Sequence, residues 1–234
     1  MHPALKFLFP EQCVSCSAEI EDPGLCPSCW GSVTFIGEAA CASCGAELVG
    51  EDVRPGDLCD GCHKNPMPWD LGRAAIKYDG KGRELVLRLK HGDRLDLAGP
   101  LAGWLARAAR PMVVPGMVVA PVPLHWRRLL KRGFNQAVEL SRPMARELGL
   151  IHYPDLLQRK LPSKEKAGSS EVVPMVGTFA LSSRREDALA GMSVLLVDDV
   201  MTTGATLAAC TEICRAAGAT TVCVAALARA RPRA

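Results

Sequence analysis

Eight cysteines crowd into the first 62 positions as four Cys-x-x-Cys pairs: Cys13 with Cys16, Cys26 with Cys29, Cys41 with Cys44, and Cys59 with Cys62. The spacers are polar and rich in Gly and Pro, without a helical or strand period long enough to build an apolar core. Something other than a core must hold this segment together. Zinc takes four tetrahedral ligands, and two Cys-x-x-Cys knuckles make one closed, all-thiolate site, so four knuckles supply two structural ions. Sequential pairing is preferred, with Cys13, Cys16, Cys26 and Cys29 on one ion and Cys41, Cys44, Cys59 and Cys62 on the other. A cross-braced pairing satisfies the same spacing and stays open. A redox Cys-x-x-Cys needs a βαβ context that is missing here, and disulfide frameworks belong to small secreted chains. Cys210, Cys214 and Cys223 sit in apolar surroundings and read as small hydrophobes.

Charge divides the chain at about the same place. Residues 1–70 hold three Lys/Arg against eleven Asp/Glu, and residues 71–234 hold twenty-five against fourteen. Thiolate-bound zinc makes the first part more negative still. The acidic part should repel a nucleic-acid backbone and suit a protein partner, whereas the basic part should attract phosphate. No apolar run reaches the eighteen residues of a membrane span. The apolar start, Met1 to Phe9, is short for a secretory signal, and a cytoplasmic protein is expected.

Asn65-Pro66-Met67-Pro68 reads as a turn-rich linker, dividing a module over 1–68 from a domain over 69–234. Past it, strands are expected at Ala74–Tyr78, Met117–Pro121, Ser193–Val197 and Val222–Leu227. Helices are expected over Arg83–Leu89, Leu97–Ala109 and Thr206–Ala217, and from an Asn135 N-cap to Leu148. Pro143 falls inside the last of these and should kink it or displace its start. Residues 159–176 are charged and aperiodic, as in a mobile loop. The alternation makes the second part an α/β fold with a mainly parallel sheet flanked by helices.

The chemistry concentrates in Val194-Leu-Leu-Val-Asp198-Asp199-Val-Met-Thr202-Thr203-Gly204-Ala205-Thr206. A buried strand delivers two carboxylates at its carboxyl end, where open α/β sheets bind ligands. The turn after it offers the Thr202, Thr203 and Thr206 hydroxyls and a compliant Gly204. It then enters a helix whose free N–H groups suit a phosphate. The two acids repel that anion but can accept hydrogen bonds from ribose hydroxyls, and can help hold magnesium near a pyrophosphate. No Gly-Lys-Ser/Thr follows the turn, which excludes a P-loop. The stretch resembles the PRPP (phosphoribosyl pyrophosphate) binding motif of type I phosphoribosyltransferases.

A second element joins the exit Pro121-Val-Pro123 to a basic segment in which Arg128, Lys131 and Arg132 could meet a diphosphate. A solvated basic helix face is the plain alternative. Taken in order, the Cys-x-x-Cys pairs, Leu89-Lys90-x-Gly92-Asp93, the Pro-Val-Pro exit, Arg132-Gly133-Phe134-Asn135-Gln136 and the Asp198-Asp199 motif resemble the ComF family. The resemblance implies a double zinc ribbon joined to a type I phosphoribosyltransferase-like domain, and a link to DNA uptake in natural transformation. It implies catalytic Asp198 and Asp199 at the ribose, and Thr202, Thr203, Gly204, Ala205 and Thr206 at the 5-phosphate. Arg128 and Arg132 would lie near the pyrophosphate, magnesium would accompany PRPP, and the competence helicase would be a partner through the ribbon.

In the family the loop before Phe179 carries a Gln, an Arg and an Asn, a trio missing from Lys164–Pro174 here. That loop resembles the hood over a reacting centre, so its divergence weakens the case for transfer and leaves the phosphate turn untouched. Two readings follow. One is a transferase acting on PRPP. The other is a non-catalytic accessory protein that binds single-stranded DNA or a nucleotide, for which Phe134, Trp126 and Trp104 provide little stacking surface.

Overall fold

The computed structural model describes residues 11–21, 24–50, 52–90, 94–124, 133–159, 178–185 and 189–230. Its N-terminal part is built from knuckles. Strands β1 (Glu11–Gln12) and β2 (Glu19–Ile20) pair antiparallel around the first Cys-x-x-Cys, and helix α1 (Pro27–Gly31) starts at the second. Cys26 caps α1, its sulfur accepting from the Cys29 N–H at 3.5 Å, and Pro27 fills the first helical position, where no N–H is needed. Helix α2 (Asp60–Lys64) follows Cys59 without a side-chain cap, and Asp60 places an acid in its first turn.

The remaining elements alternate: strand β3 (Leu71–Lys77), helix α3 (Gly80–Lys90), a 3-10 turn at Leu95–Leu97 leading into α4 (Ala98–Ala109), and strand β4 (Val118–Pro121). Helix α5 (Gln136–Leu148), strands β5 (Ile151–His152), β6 (Leu157–Arg159), β7 (Phe179–Leu181) and β8 (Ser193–Met201), helix α6 (Ala205–Ala216) and strand β9 (Thr221–Arg229) complete them. Five strands make one parallel sheet in the order β3-β9-β8-β4-β5.

Period-two alternation sorts the sheet's side chains into two cores. Val119, Leu195, Val197, Ala225 and Leu227 face Leu85 and Leu89 of α3, Leu101 and Leu105 of α4, and Leu140 and Met144 of α5. Val118, Ala120, Val194, Leu196, Val224 and Ala226 face Leu207, Cys210 and Cys214 of α6. Cys41, Cys44, Cys62 and Trp69 belong to this second core. Burial pushes the Cys214 thiol up to about 12 and Cys223 up to about 11, so these cysteines do behave as apolar groups.

Several boundaries differ from expectation for local reasons. β3 begins three residues early because Asp70 and Gly72 are already paired: Asp70 N–H donates to Val222 O and Gly72 N–H to Ala42 O, both at 2.8 Å. β8 runs past Val197 through both acids to Met201, because β9 stays in register beside it, with Asp198 opposite Ala226 and Met201 opposite Arg229. Asn135 does cap α5, its side chain accepting from Ala137 N–H at 3.0 Å. Pro143 therefore leaves the start of α5 in place, and the Glu139 carbonyl one turn earlier loses a helical partner. The stretch 160–177 lies outside the described residues. Its flanks, β6 and β7, pair antiparallel with Arg159 opposite Phe179, a ribbon not anticipated from the sequence.

Candidate functional site

The chain leaves β4 for α5 and β5 on one side and leaves β8 for α6 and β9 on the other. The carboxyl ends of these two neighbouring strands therefore flank the point where the winding reverses, the ligand crevice of an open α/β sheet. Val122 N–H donates to Val197 O at 2.8 Å and ties the two strand ends together.

Asp198 and Asp199 lie in this crevice, but their environments differ. Strand alternation turns Asp198 toward α6 and Asp199 toward α3. Burial, reinforced by the neighbouring Asp199 charge, pushes the Asp198 carboxyl up to about 7; the Asp199 N–H, donating to it at 2.8 Å, and the Lys90 charge oppose that rise. Asp199 is held by Lys90, whose Nζ lies 3.3 Å from its Oδ1.

Beyond Met201 the chain turns outward. Thr202, Thr203 and Ala205 are exposed, Thr206 is half-buried, and Gly204 is buried at φ 82, ahead of the first turn of α6. Thr203 Oγ1 accepts from Ala205 N–H at 3.3 Å, a local bond that shapes the turn. The α6 N-terminus thus faces solvent beside two carboxyl groups, one paired and one easily protonated.

Residues that the sequence suggested for other reasons turn out to assemble the crevice. Asn135 caps α5 and also donates from Nδ2 to the Val122 carbonyl at 3.0 Å, pinning the exit of β4. Buried Gln136 donates to the Lys90 carbonyl at 3.3 Å, fixing the end of α3 that brings Lys90 to Asp199. Asn135→Ala is expected to lose the cap and leave Val122 O unpaired, a cost of about 1–2 kcal/mol. Thermal unfolding of the variant beside Asn135→Asp, which keeps the cap alone, separates the two contributions.

The cysteines gather sequentially, which removes the cross-braced alternative. Cys13, Cys16, Cys26 and Cys29 form one group and Cys41, Cys44, Cys59 and Cys62 the other, with all sulfurs of a group within 4.8 Å of one another. Cys16 and Cys26 sulfurs stand 3.6 Å apart, and those of Cys44 and Cys59 3.7 Å. That is close to the edge of a tetrahedron with metal–sulfur bonds of about 2.3 Å, and far beyond a disulfide. Burial pushes Cys29 up to about 12 and Cys62 up to about 11, whereas the hydrogen bond from Cys44 draws Cys41 down to about 4, so one thiolate of a tetrad forms readily and a cation is needed for all four to ionise together. The donor set fits zinc. Four thiolates close each site, which leaves no position open for a substrate.

Residues 4–63 match the double zinc ribbon domain, and residues 134–234 match the phosphoribosyl transferase domain. Competence protein ComFC of Bacillus subtilis is 24% identical, over 80% of this chain and 75% of its own. Competence protein F of Haemophilus influenzae is 28% identical, over 95% of this chain and 98% of its own. The DNA utilization protein YhgH of Salmonella typhimurium is 30% identical, over 88% of this chain and 97% of its own. The chain belongs to the ComF family.

In this ComF-family chain Asp198, Asp199 and the turn Thr202–Thr206 stand at the carboxyl end of β8 and the start of α6. Arg128 and Arg132 lie outside the described residues, as does Lys131. Lys90 was not singled out as a site residue. Its available signal was its place in the last turn of α3, within the Leu89-Lys90-x-Gly92-Asp93 string.

Proposed function

We propose that this ComF-family protein binds PRPP or a related ribose 5-phosphate at the carboxyl end of β8, and does so in the handling of DNA that enters the cell. The observation that carries the reading is the juxtaposition at the winding reversal of an exposed turn opening a helix with two carboxyl groups of unlike character. In this reading the amides and hydroxyls of Thr202, Thr203, Gly204, Ala205 and Thr206 take the 5-phosphate. Asp198 and Asp199 take the ribose hydroxyls, and Lys90 keeps Asp199 oriented. Arg128 and Arg132 are assigned to the pyrophosphate on sequence alone. Magnesium bound with PRPP would neutralise pyrophosphate charge, the term that lets pyrophosphate leave from C1. This chain's own contribution is positioning and charge placement.

The DNA context comes from relatives named for DNA utilization and competence. It supports a cytoplasmic role, with the acidic ribbon over residues 1–68 offered to a protein partner such as the competence helicase and the basic domain over 69–234 holding the ligand. The same names favour a second reading: a non-catalytic accessory protein that uses the turn on the 5-phosphate of a nucleotide or a single-stranded DNA end.

Calorimetric titration of PRPP with magnesium decides the first reading. Wild type is expected to bind, and Asp198→Asn/Asp199→Asn to lose at least about tenfold in affinity, about 1.4 kcal/mol. No binding by wild type would remove the proposal. Titrating a 5-phosphorylated oligonucleotide at two salt concentrations tests the second reading, since backbone binding must weaken as salt rises.

A further inference from the structure

Trp69 lies outside the crevice, yet its ring reaches the phosphate turn. The indole is 4% exposed, and its Nε1 donates at 2.6 Å to the carbonyl of Ser43, inside the Cys41-x-x-Cys44 knuckle. The far edge of the ring lies against Gly204. A Cβ on that glycine would stand 2.8 Å from Trp69 Cη2 and 3.7 Å from Cζ2, so the missing side chain is the seat of the ring.

Both ends of this strut are anchored. The knuckle is pressed on β3: Gly72 N–H donates to Ala42 O at 2.8 Å, Arg73 Nη1 donates to Cys41 O at 3.2 Å, and a Cβ on Gly72 would stand 2.0 Å from Ser43 O. The residue after Trp69 is clamped to β9, Asp70 Oδ2 accepting from Val222 N–H and from Arg215 Nη2, each at 2.7 Å. On the turn's other side, buried Arg229 donates from Nη1 to Met201 O at 3.1 Å and to Thr202 O at 2.5 Å.

We infer that Trp69 is a positioning residue of the phosphate turn, through which the second cysteine tetrad sets the shape of the site. A knuckle closed on its metal fixes Ser43, Ser43 fixes the indole, and the indole holds Gly204 in its left-handed conformation. Arg229 holds the carbonyls of Met201 and Thr202 at the entry to the turn. Among the described residues, Cys13, Cys26 and Cys29 of the first tetrad form a cluster separate from the one that holds Trp69. Ligand affinity and occupancy of the second tetrad are then linked, and linkage is reciprocal.

The inference concerns the site proposed above, and its test is arranged so that the two can fail separately. The first arm uses zinc-loaded, ligand-free protein and hydrogen exchange at the amides of residues 202–206. Trp69→Leu should retain two zinc ions per chain, yet exchange these amides at least about tenfold faster than wild type. Trp69→Phe, which keeps the ring packing and loses only the N–H, should fall between them. Trp104→Leu, remote from the turn, should leave these amides unchanged. The second arm titrates PRPP with magnesium, and Trp69→Leu should weaken binding by about tenfold or more, with Trp69→Phe recovering part of the loss.

Unchanged exchange at 202–206 in Trp69→Leu with both zinc ions retained would overturn the inference, whatever PRPP does. Should Trp69→Leu fail to fold, Trp69→Phe carries the decision: exchange at wild-type rates in that variant overturns the route through Ser43. Absence of PRPP binding by wild type would remove the ribose 5-phosphate reading, while the exchange arm still decides the role of Trp69.

Discussion

Asp198→Asn is expected to make the ligand-free protein more stable, and the gain should grow with pH. The folded protein holds this carboxyl at about 7, whereas the unfolded chain releases its proton near the ordinary value of 3.8. Between those values the native state binds more protons than the unfolded state, so this group's contribution to stability falls as pH rises. The penalty is complete above about pH 7 and absent below about pH 4. The full displacement corresponds to about 4 kcal/mol, and the carboxyl's partial access to water reduces it to about 2 kcal/mol. Asparagine keeps an oxygen to accept the Asp199 N–H and removes the ionisation. Thermal unfolding should place the variant above wild type by roughly 4–8 °C at pH 8 and close to it at pH 4.5. A variant that is less stable than wild type at pH 8, or displaced equally at both pH values, would show that the carboxyl is not strained. Sites that hold charge ready for a ligand commonly sacrifice stability in this way.

The apolar runs of β8 and β9 and the Asn135 cap were legible because each depends on a few adjacent residues. The cysteine tetrads were legible because the ligand spacing repeats. What remained hidden depends on alternation and on distant contacts. The sequence presents Asp198 and Asp199 as a pair of equals, and only the continuation of β8 to Met201 turns them to opposite faces. Lys90 lies more than one hundred positions before its partner Asp199. Gln136 belongs to a basic, glycine-containing string that reads as ligand-binding, yet its side chain serves the backbone of α3. Trp69 looks like an ordinary residue after a proline turn, and its contact with Gly204 requires the knuckle to be folded on β3. Such long-range partners leave no local signature.

The two metal sites should also part company under a chelator. Cys16 is exposed and the first tetrad forms a cluster of its own, whereas Cys41 and Cys44 are fully buried within the core shared with β4, β8 and α6. Access therefore favours loss of the first ion, and packing holds the second. Zinc release into a colorimetric indicator should show two phases of one equivalent each, the fast one from Cys13, Cys16, Cys26 and Cys29. Cys16→Ser should remove the fast phase and lower the unfolding temperature less than Cys44→Ser does, since Cys16 is exposed and its knuckle sends only Val14 into the core around the sheet. Cys44→Ser removes a ligand and leaves buried Cys41 and Cys62 and half-buried Cys59 around a polar gap in the larger core, a cost of at least about 3–5 kcal/mol. For a chain of this size that lowers the unfolding temperature by about 10 °C or more. Release of both ions in one phase, or equal destabilisation by the two variants, would mean that the tetrads act as one unit. Two phases would instead make the second ribbon part of the sheet's own architecture, with the first held to α3 by the bond from Arg88 Nη1 to the Ser15 carbonyl and by Val14 and Val33, which enter the core that includes Leu85 and Leu89.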